Sequence, residues 1–261
     1  MRKINLLSFM LLFLLLCVGE IKAQTEGPTR IKVIDFNIRM SGEKVGYQAQ
    51  PFADLILKEQ PDLVALQEVD YMVSRSGSKD FLTELAALTG MFPVFAKAIE
   101  TGGGEYGVAI LSKYPISNSK VEELPFPAGA KEHRVALVCD ITLPDNLKLR
   151  FVSTHLDHSS DEVRTEMARE LNSSSILSGN NPIILCGDFN AKPTDNAIAV
   201  GMMKWKLIGD NTNTFPNTAP TSKIDYIFGY PSSKWKTVSY KVLGTTISDH
   251  CPLITEVEYE K

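Results

Sequence analysis

Short apolar runs rich in β-branched residues recur along the chain, each closed by Gly, Pro, Asn or Asp, with a few segments of helical spacing between them. Ile31-Lys32-Val33-Ile34-Asp35-Phe36-Asn37 reads as a first strand with Asn37 at its C-terminal end. Phe52, Leu55, Ile56 and Glu59 then fall at helical spacing until Pro61-Asp62 breaks the run. Leu63-Val64-Ala65-Leu66 follows as a second strand, delivering Gln67-Glu68 at its end. Strand, helix, strand is a crossover connection, so parallel strands would bring Asn37 and Glu68 out at one edge. A second helix is expected from Lys79 to Leu88, closing at Gly90. Gly102-Gly103-Gly104 precede a strand over Tyr106 to Leu111, which stops at Pro115. A phosphate-cradling glycine loop opens a helix, whereas this one opens a strand, so it reads as a flexible loop.

Val135 to Thr142 and Lys148 to Thr154 form an expected strand pair around the turn Pro144-Asp145-Asn146. The second strand ends in Thr154-His155-Leu156-Asp157-His158, and Ser159-Ser160-Asp161-Glu162 is a capping box opening a helix with Val163, Met167 and Leu171 on one face. Pro182-Ile183-Ile184-Leu185 is a buried strand that runs into Cys186-Gly187-Asp188-Phe189-Asn190. A period of two puts Asp188 and Asn190 on the same side of an extended chain. A short helix near residues 195 to 204 leads into a polar loop, about 209 to 222, and then strands at Ile224 to Phe228 and Lys236 to Leu243. Ser248-Asp249-His250 stands at the mouth of the last strand, Leu253 to Tyr259. There is no internal repeat and no interdomain linker, so residues 24 to 261 read as one domain.

With 261 residues and 44% hydrophobic content, the chain can bury one large core or two small ones. Its first 23 residues read as a signal peptide: Met1-Arg2-Lys3 is basic, Leu6 to Val18 is apolar, and Ala23 offers a small residue for cleavage. The apolar stretch is too short for a stable membrane span, so the mature chain is expected to be exported, periplasmic or secreted, with no transmembrane segment. Cys17 raises a lipoprotein alternative, but Leu16 before it is bulky for a lipidation box. Removing the leader takes away three basic residues and one acidic one, moving the formal charge from −4 to −6. That balance does not point to a duplex nucleic acid face, although nucleic acid stays open as a substrate. Cys139, Cys186 and Cys251 remain, an odd number, and each sits in or beside an apolar stretch. They read as small buried hydrophobes, with a Cys186–Cys251 bridge as the minority reading.

The ionisable and amide groups gather where strands stop: Asn37, Glu68, His155, Asp188 with Asn190, Asp225, and Asp249 with His250. Ligands of open α/β sheets bind at such carboxyl ends. Asp, Glu and Asn are hard oxygen ligands suited to Mg²⁺, Mn²⁺ or Ca²⁺, and the sparse His and Cys lack zinc spacing. Histidines with carboxylates nearby equip a site for general acid–base chemistry. Hydrolysis of a phosphoester needs charge neutralisation, an oriented water and leaving-group stabilisation, and these residue types supply all three.

In these residues the chain resembles the endonuclease/exonuclease/phosphatase superfamily, the deoxyribonuclease I-like metal-dependent phosphoesterases. The resemblance is carried by Asn37-Ile38-Arg39, Leu66-Gln67-Glu68-Val69, Tyr106 to Ser112, Thr154-His155-Leu156, Gly187-Asp188-Phe189-Asn190, Ile224-Asp225-Tyr226-Ile227 and Ser248 to Leu253. Each motif is modest alone; their order and spacing together are specific. The resemblance implies an α/β (α+β) four-layer sandwich, two packed mixed β-sheets flanked by helices. It also implies Glu68 as the main metal ligand with Asn37 and Asp249 near the cation, Mg²⁺ first and Mn²⁺ or Ca²⁺ as alternatives. Asp225 would orient His250, Asp188 would position or deprotonate water, and Asn190 and His155 would hold phosphoryl oxygens, His155 also serving the leaving oxygen. Arg134 matches a phosphate-facing arginine loosely, and Tyr106 stands either at the phosphate or at the sheet edge.

His133 and His158 read as a surface residue and a helix-flanking residue, and Arg75 as a solvated loop residue, although an arginine near a phosphate can clamp it. Asp157 either braces a histidine or caps a turn. The expected activity is an exported, monomeric phosphodiesterase using metal-assisted attack of water. Phosphomonoester hydrolysis of inositol or sugar phosphates is the alternative. A catalytically inactive binding protein on the same scaffold is the competing class, since a fold alone does not grant activity. Such a decayed copy would have lost one of Glu68, Asp188, Asn190, Asp249 or His250, and all are present.

Overall fold

A computed structural model describes residues 27–261, so the expected leader, its cleavage after Ala23 and Cys17 lie outside the described residues. The described residues form two mixed six-stranded sheets. The first has the order β11–β12–β1–β2–β4–β3, built from β1 (Thr29–Asn37), β2 (Leu63–Tyr71), β3 (Phe92–Thr101), β4 (Gly104–Ser112), β11 (Trp235–Val242) and β12 (Leu253–Tyr259). The second has the order β5–β6–β7–β8–β10–β9, built from β5 (Ile116–Glu123), β6 (Val135–Thr142), β7 (Lys148–His155), β8 (Ile183–Asp188), β9 (Lys206–Ile208) and β10 (Asp225–Tyr230).

Each sheet carries one parallel pair at its centre, β1 with β2 and β7 with β8, and every other pairing is antiparallel. Parallel neighbours need a crossover, and helices α1 (Gln50–Glu59) and α3 (Asp161–Glu170) supply them. Helix α2 (Phe81–Thr89) joins α1 on the first sheet's outer face. Two caps agree with the sequence: Ser160 accepts from the Val163 N–H, and Gly90 closes α2 in a left-handed conformation.

Strand periodicity divides the apolar residues into three cores. Ile31 and Val33 of β1 face the opposing sheet, while Ile34 and Phe36 face Phe52 of α1. Val152 and Leu185 likewise pack beneath Val163 and Met167 of α3. Helix, sheet, sheet and helix make the expected four layers. Cys139, Cys186 and Cys251 are buried and free, so the minority bridge is not formed.

The structure departs from the sequence reading in places where local pattern is weak. Strand β2 does not stop at Leu66 but runs on to Tyr71, and the register with β4 shifts between Gln67 and Val69. Glu68 is the bulged residue, with φ +61°. Strands β3 and β5 were not foreseen, because edge strands with many exposed positions present no continuous apolar run. Gly102 and Gly103 form the turn of the β3–β4 hairpin rather than a flexible loop. The helix near 195–204 shrinks to the turn Asn196–Ala199.

Candidate active site

The inner faces of the central strands change from apolar to polar as they approach one end of the sandwich. Along β1 the sequence is Ile31, Val33, Asp35, Asn37; along β7 it is Leu149, Phe151, Ser153, His155; along β8 it is Ile184, Cys186, Asp188. Asp35, Gln67 and Ser153 form a buried polar layer, with Gln67 Nε2 donating to Asp35 Oδ1 at 2.8 Å. Burial pushes the Asp35 carboxyl well above its ordinary range. Asn37, the last residue of β1 and registered opposite Gln67, lies beyond this layer, as do His155 and Asp188, which close the β7–β8 pair.

Asn37 links the two sheets. Its Nδ2 donates to Glu68 Oε1 at 3.1 Å and to Asp188 Oδ2 at 3.0 Å. The bulge at Glu68 and the left-handed turn Arg39-Met40-Ser41 bring the Met40 N–H to Glu68 Oε2 at 3.2 Å. Asp188 Oδ1 accepts the Asn190 N–H at 2.8 Å, which curls the chain back at the end of β8. Asp225 opens β10 and His250 precedes β12; His250 Nδ1 lies 2.9 Å and 3.0 Å from the two Asp225 oxygens. The free nitrogen of the same ring, Nε2, is 3.7 Å from Asp188 Oδ2.

The two histidines occupy opposite charge states. Burial works against a charged His250, yet the Asp225 and Asp188 carboxylates overcome it and lift its pKa from 6.5 to about 10. Burial and the Arg134 charge instead push His155 well below 6.5. Arg134 Nη1 lies 3.0 Å from His155 Nδ1, and since a guanidinium can only donate, Nδ1 accepts. The ring proton then resides on Nε2, which faces Asn190 Nδ2 at 3.0 Å. Asn190 Nδ2 also donates to Leu156 O at 3.0 Å and His155 Nε2 lies 3.6 Å from Asp188 Oδ2, so the two N–H groups stand side by side at the cleft, where donors suit an oxyanion. Burial and the neighbouring Asp225 raise the pKa of Asp188, as suits a group that accepts a proton from water.

Glu68, Arg134, His155, Asp188, Asn190 and His250 line a cleft of about 420 Å³ together with Arg39, Arg75, Tyr106, Glu132, His158, Phe215, Ile224 and Asp249, with Asn37 and Asp225 beneath them. A larger hollow of about 570 Å³ lies at the β3–β4 turn, but its lining of Tyr71, Met72, Glu100 and glycines holds none of the residues singled out for chemistry. Asp188, Asp225 and His250 place ligand atoms within 4.8 Å of one another, close enough to share a cation. In this arrangement, however, both Asp225 oxygens already face His250 Nδ1, and Thr214 donates to one of them. Glu68 and Asp249 bring two more carboxylates to the cleft, with the Asn37 amide beside Glu68, hard donors of the kind that suits a divalent cation, and Glu68 likewise accepts from Asn37 Nδ2 and the Met40 N–H.

The structure also sorts the residues that the sequence left open. Tyr106 is buried and lines the cleft, and Arg134 lies behind His155, pairing with Glu132 at 2.9 Å. Asp157 caps a turn: its carboxylate accepts from the backbone N–H groups of Lys131, Glu132 and Ser159. His133 stacks on Phe126 away from the cleft, whereas His158 reaches its lining. Arg75 is exposed to solvent, as expected, and it also makes a two-point contact with buried Asp70 at 2.7 Å and 3.0 Å. Arg39, Met40, Glu132, Phe215 and Ile224 were not foreseen at the cleft. Arg39 and Ile224 had a sequence signal, Arg39 following directly on Asn37-Ile38 and Ile224 directly preceding Asp225.

A two-sheet sandwich with this cleft at the ends of its central strands defines a class of phosphoester-hydrolysing, divalent-metal-dependent enzymes. The model of the Endonuclease/Exonuclease/phosphatase family matches residues 36–250, and the chain belongs to that family. Among solved structures, it is similar to an endonuclease/exonuclease/phosphatase from Bacteroides vulgatus, with a TM-score of 0.73 and 21% identity over 89% of this chain and 100% of that one. It is also similar to a mannosyl-6-phosphatase of Bacteroides thetaiotaomicron, with a TM-score of 0.70 and 20% identity over 87% and 99% of the two chains. The human Nocturnin catalytic domain with bound sulfate gives a TM-score of 0.71 and 21% identity over 89% and 94%. No curated protein sequence matches the chain.

Proposed function

We propose that the chain is an exported hydrolase that cleaves a phosphate ester by attack of water, with Mg²⁺ as its cation and Mn²⁺ or Ca²⁺ as alternatives. The observation that carries this reading is the convergence of Asp188, the His155–Asn190 donor pair and charged His250 on the cleft that also holds Glu68. Glu68, with Asn37 and Asp249, would hold the cation, whose contribution is to neutralise phosphoryl charge. His155 and Asn190 would hold phosphoryl oxygens from the same side of the cleft. Asp188 orients the attacking water and takes its proton. Asp225 fixes the His250 ring with Nδ1 toward itself, so that Nε2–H faces the reacting group. The leaving oxygen falls less well to His155, because a ring beside Arg134 stays uncharged.

The core of the site accommodates a phosphodiester, the ester expected from the sequence, as well as a phosphomonoester. The test is a substrate panel with Mg²⁺ or Mn²⁺: bis-p-nitrophenyl phosphate, p-nitrophenyl phosphate, DNA, RNA, sphingomyelin and inositol phosphates. Turnover that disappears in EDTA supports the proposal; no turnover of any ester by folded protein turns it toward the binding-only class. Export rests on residues 1–23, and material recovered outside the cytoplasm should begin at Gln24. A lipid-modified Cys17 at the terminus would overturn that cleavage site.

A further inference from the structure

We propose that Arg75 and Tyr106, with Arg134 behind them, form a wall of the cleft that receives the third non-bridging oxygen of a phosphomonoester dianion, making the enzyme selective for monoesters over diesters. The proposal rests on the phosphoesterase reading above. A diester offers two non-bridging oxygens and one negative charge. The cation and the His155–Asn190 pair suffice for those two. A monoester adds a third oxygen and a second charge, which need donors of their own.

The wall has donors to spare. Arg75 presents Nε and Nη2 to Asp70, which leaves its Nη1 edge unengaged in a side chain that lines the cleft. The guanidinium lies 5.3 Å over the Tyr106 ring. Among the described residues no acceptor takes the Tyr106 hydroxyl, while Arg134 spends Nη1 on His155 and Nη2 on Glu132 and keeps its Nε buried, so that it backs the wall with its charge. A guanidinium held on one edge by a carboxylate and on one face by an aromatic ring keeps its fork in place for a phosphoryl group.

The supporting loop is fastened in the same way. Arg75 sits on the turn Ser74–Ser76, where the Ser74 N–H donates to Gly102 O at 2.9 Å. A Cβ on Gly102 would meet Ser74 Oγ at 3.0 Å, and one on Gly104 would lie 2.3 Å from Tyr71 O. The glycines of the β3–β4 hairpin thus let the Arg75 loop rest directly on it. Asp70 is anchored in turn, its N–H donating to Ser41 Oγ at 2.7 Å.

The experiment compares kcat/KM for p-nitrophenyl phosphate and bis-p-nitrophenyl phosphate in wild type, Arg75→Ala, Arg75→Lys and Tyr106→Phe, with folding checked by thermal melting. Wild type should prefer the monoester, and the monoester-to-diester ratio should drop roughly 10–100-fold in Arg75→Ala, the scale of a lost hydrogen bond to a charged group. Arg75→Lys retains a charge for Asp70 but loses the fork, so it should recover the melting temperature and not the ratio. Tyr106→Phe should lower the ratio with little change in melting. An unchanged ratio in folded Arg75→Lys and Tyr106→Phe overturns the proposal and leaves Arg75 as a counter-ion for Asp70. A wild type that hydrolyses the diester as well as or better than the monoester overturns the selectivity alone. Turnover of neither ester overturns the phosphoesterase reading and the selectivity with it.

Discussion

His250 and Asp225 are 25 residues apart in the chain, yet Nδ1 of the one lies 2.9 Å from Oδ1 of the other in a buried pair at the cleft floor. The contact exists because β10 begins where the segment before β12 ends, on opposing sheets. Thr214, from the polar loop, adds a hydrogen bond that holds the carboxylate in place.

This pair sets the first prediction. His250→Ala should lower the rate by roughly 10²–10⁴-fold, as for a positioned acid–base group. Asp225→Asn should lose less, since the ring stays while its charge support weakens. The His250 pKa is raised in the folded state, so its contribution to stability is fully present below its ordinary 6.5 and is lost as pH rises through about 10. The alkaline limb of the pH–rate profile should therefore lie near pH 10 in wild type and move to lower pH in Asp225→Asn. An identical profile and rate in the two enzymes would show that the pair has no role.

Glu68 should act differently, through the cation. Glu68→Ala should bind Mg²⁺ more weakly by calorimetry and recover part of its activity in a large excess of the metal. His250→Ala should keep its metal affinity. Wild type stripped with EDTA should be inactive and regain turnover on adding Mg²⁺. Full activity after stripping would refute the assignment.

Asp157 acts on structure. Burial resists its ionisation, but donors from Ser159, Glu132 and Lys131 outweigh it and bring the pKa from 3.8 to about 2. A depressed carboxylate stabilises the fold above its ordinary pKa and loses that contribution as pH falls through its folded value. Asp157→Asn should cost about 2 kcal/mol at neutral pH, the scale of hydrogen bonds to a charged acceptor. The difference in melting temperature from wild type should be full above pH 4 and shrink towards pH 2. Because Asp157 holds the Glu132 backbone beside Arg134, the variant should also raise KM more than it lowers kcat.

Cys186 lies two residues before Asp188 but faces the core between the sheets, and burial pushes its thiol pKa up. The native protein should leave it unmodified by thiol reagents until unfolding. Cys186→Ala should cost stability, about 1 kcal/mol, and change kcat little. Abolished turnover in a folded variant would show that the sulfur matters to the site.

What the sequence determined by itself is whatever a short window can encode. The apolar runs of β1, β7 and β8 were enough to place Asn37, His155 and Asp188 at strand ends, whereas the extended stretch expected from Asp188 to Asn190 ends at Asp188, with Asn190 left-handed at φ +50°. Ser160 and Gly90 marked helix ends through local hydrogen bonding and backbone freedom, and the odd cysteines were already readable as core. The tertiary structure alone decided the rest. Glu68 reaches the cleft because β2 continues past it as a bulge, and a bulge depends on the register with β4, not on the residues around Glu68. Arg75 joined the cleft through Asp70 and the β3–β4 hairpin, elements that its own polar neighbourhood did not announce. The two histidines look alike in sequence, but one meets Arg134 and the other meets Asp225 and Asp188. Their opposite charge states follow from which remote groups folding brings within a few ångströms, where buried charges act strongly on one another.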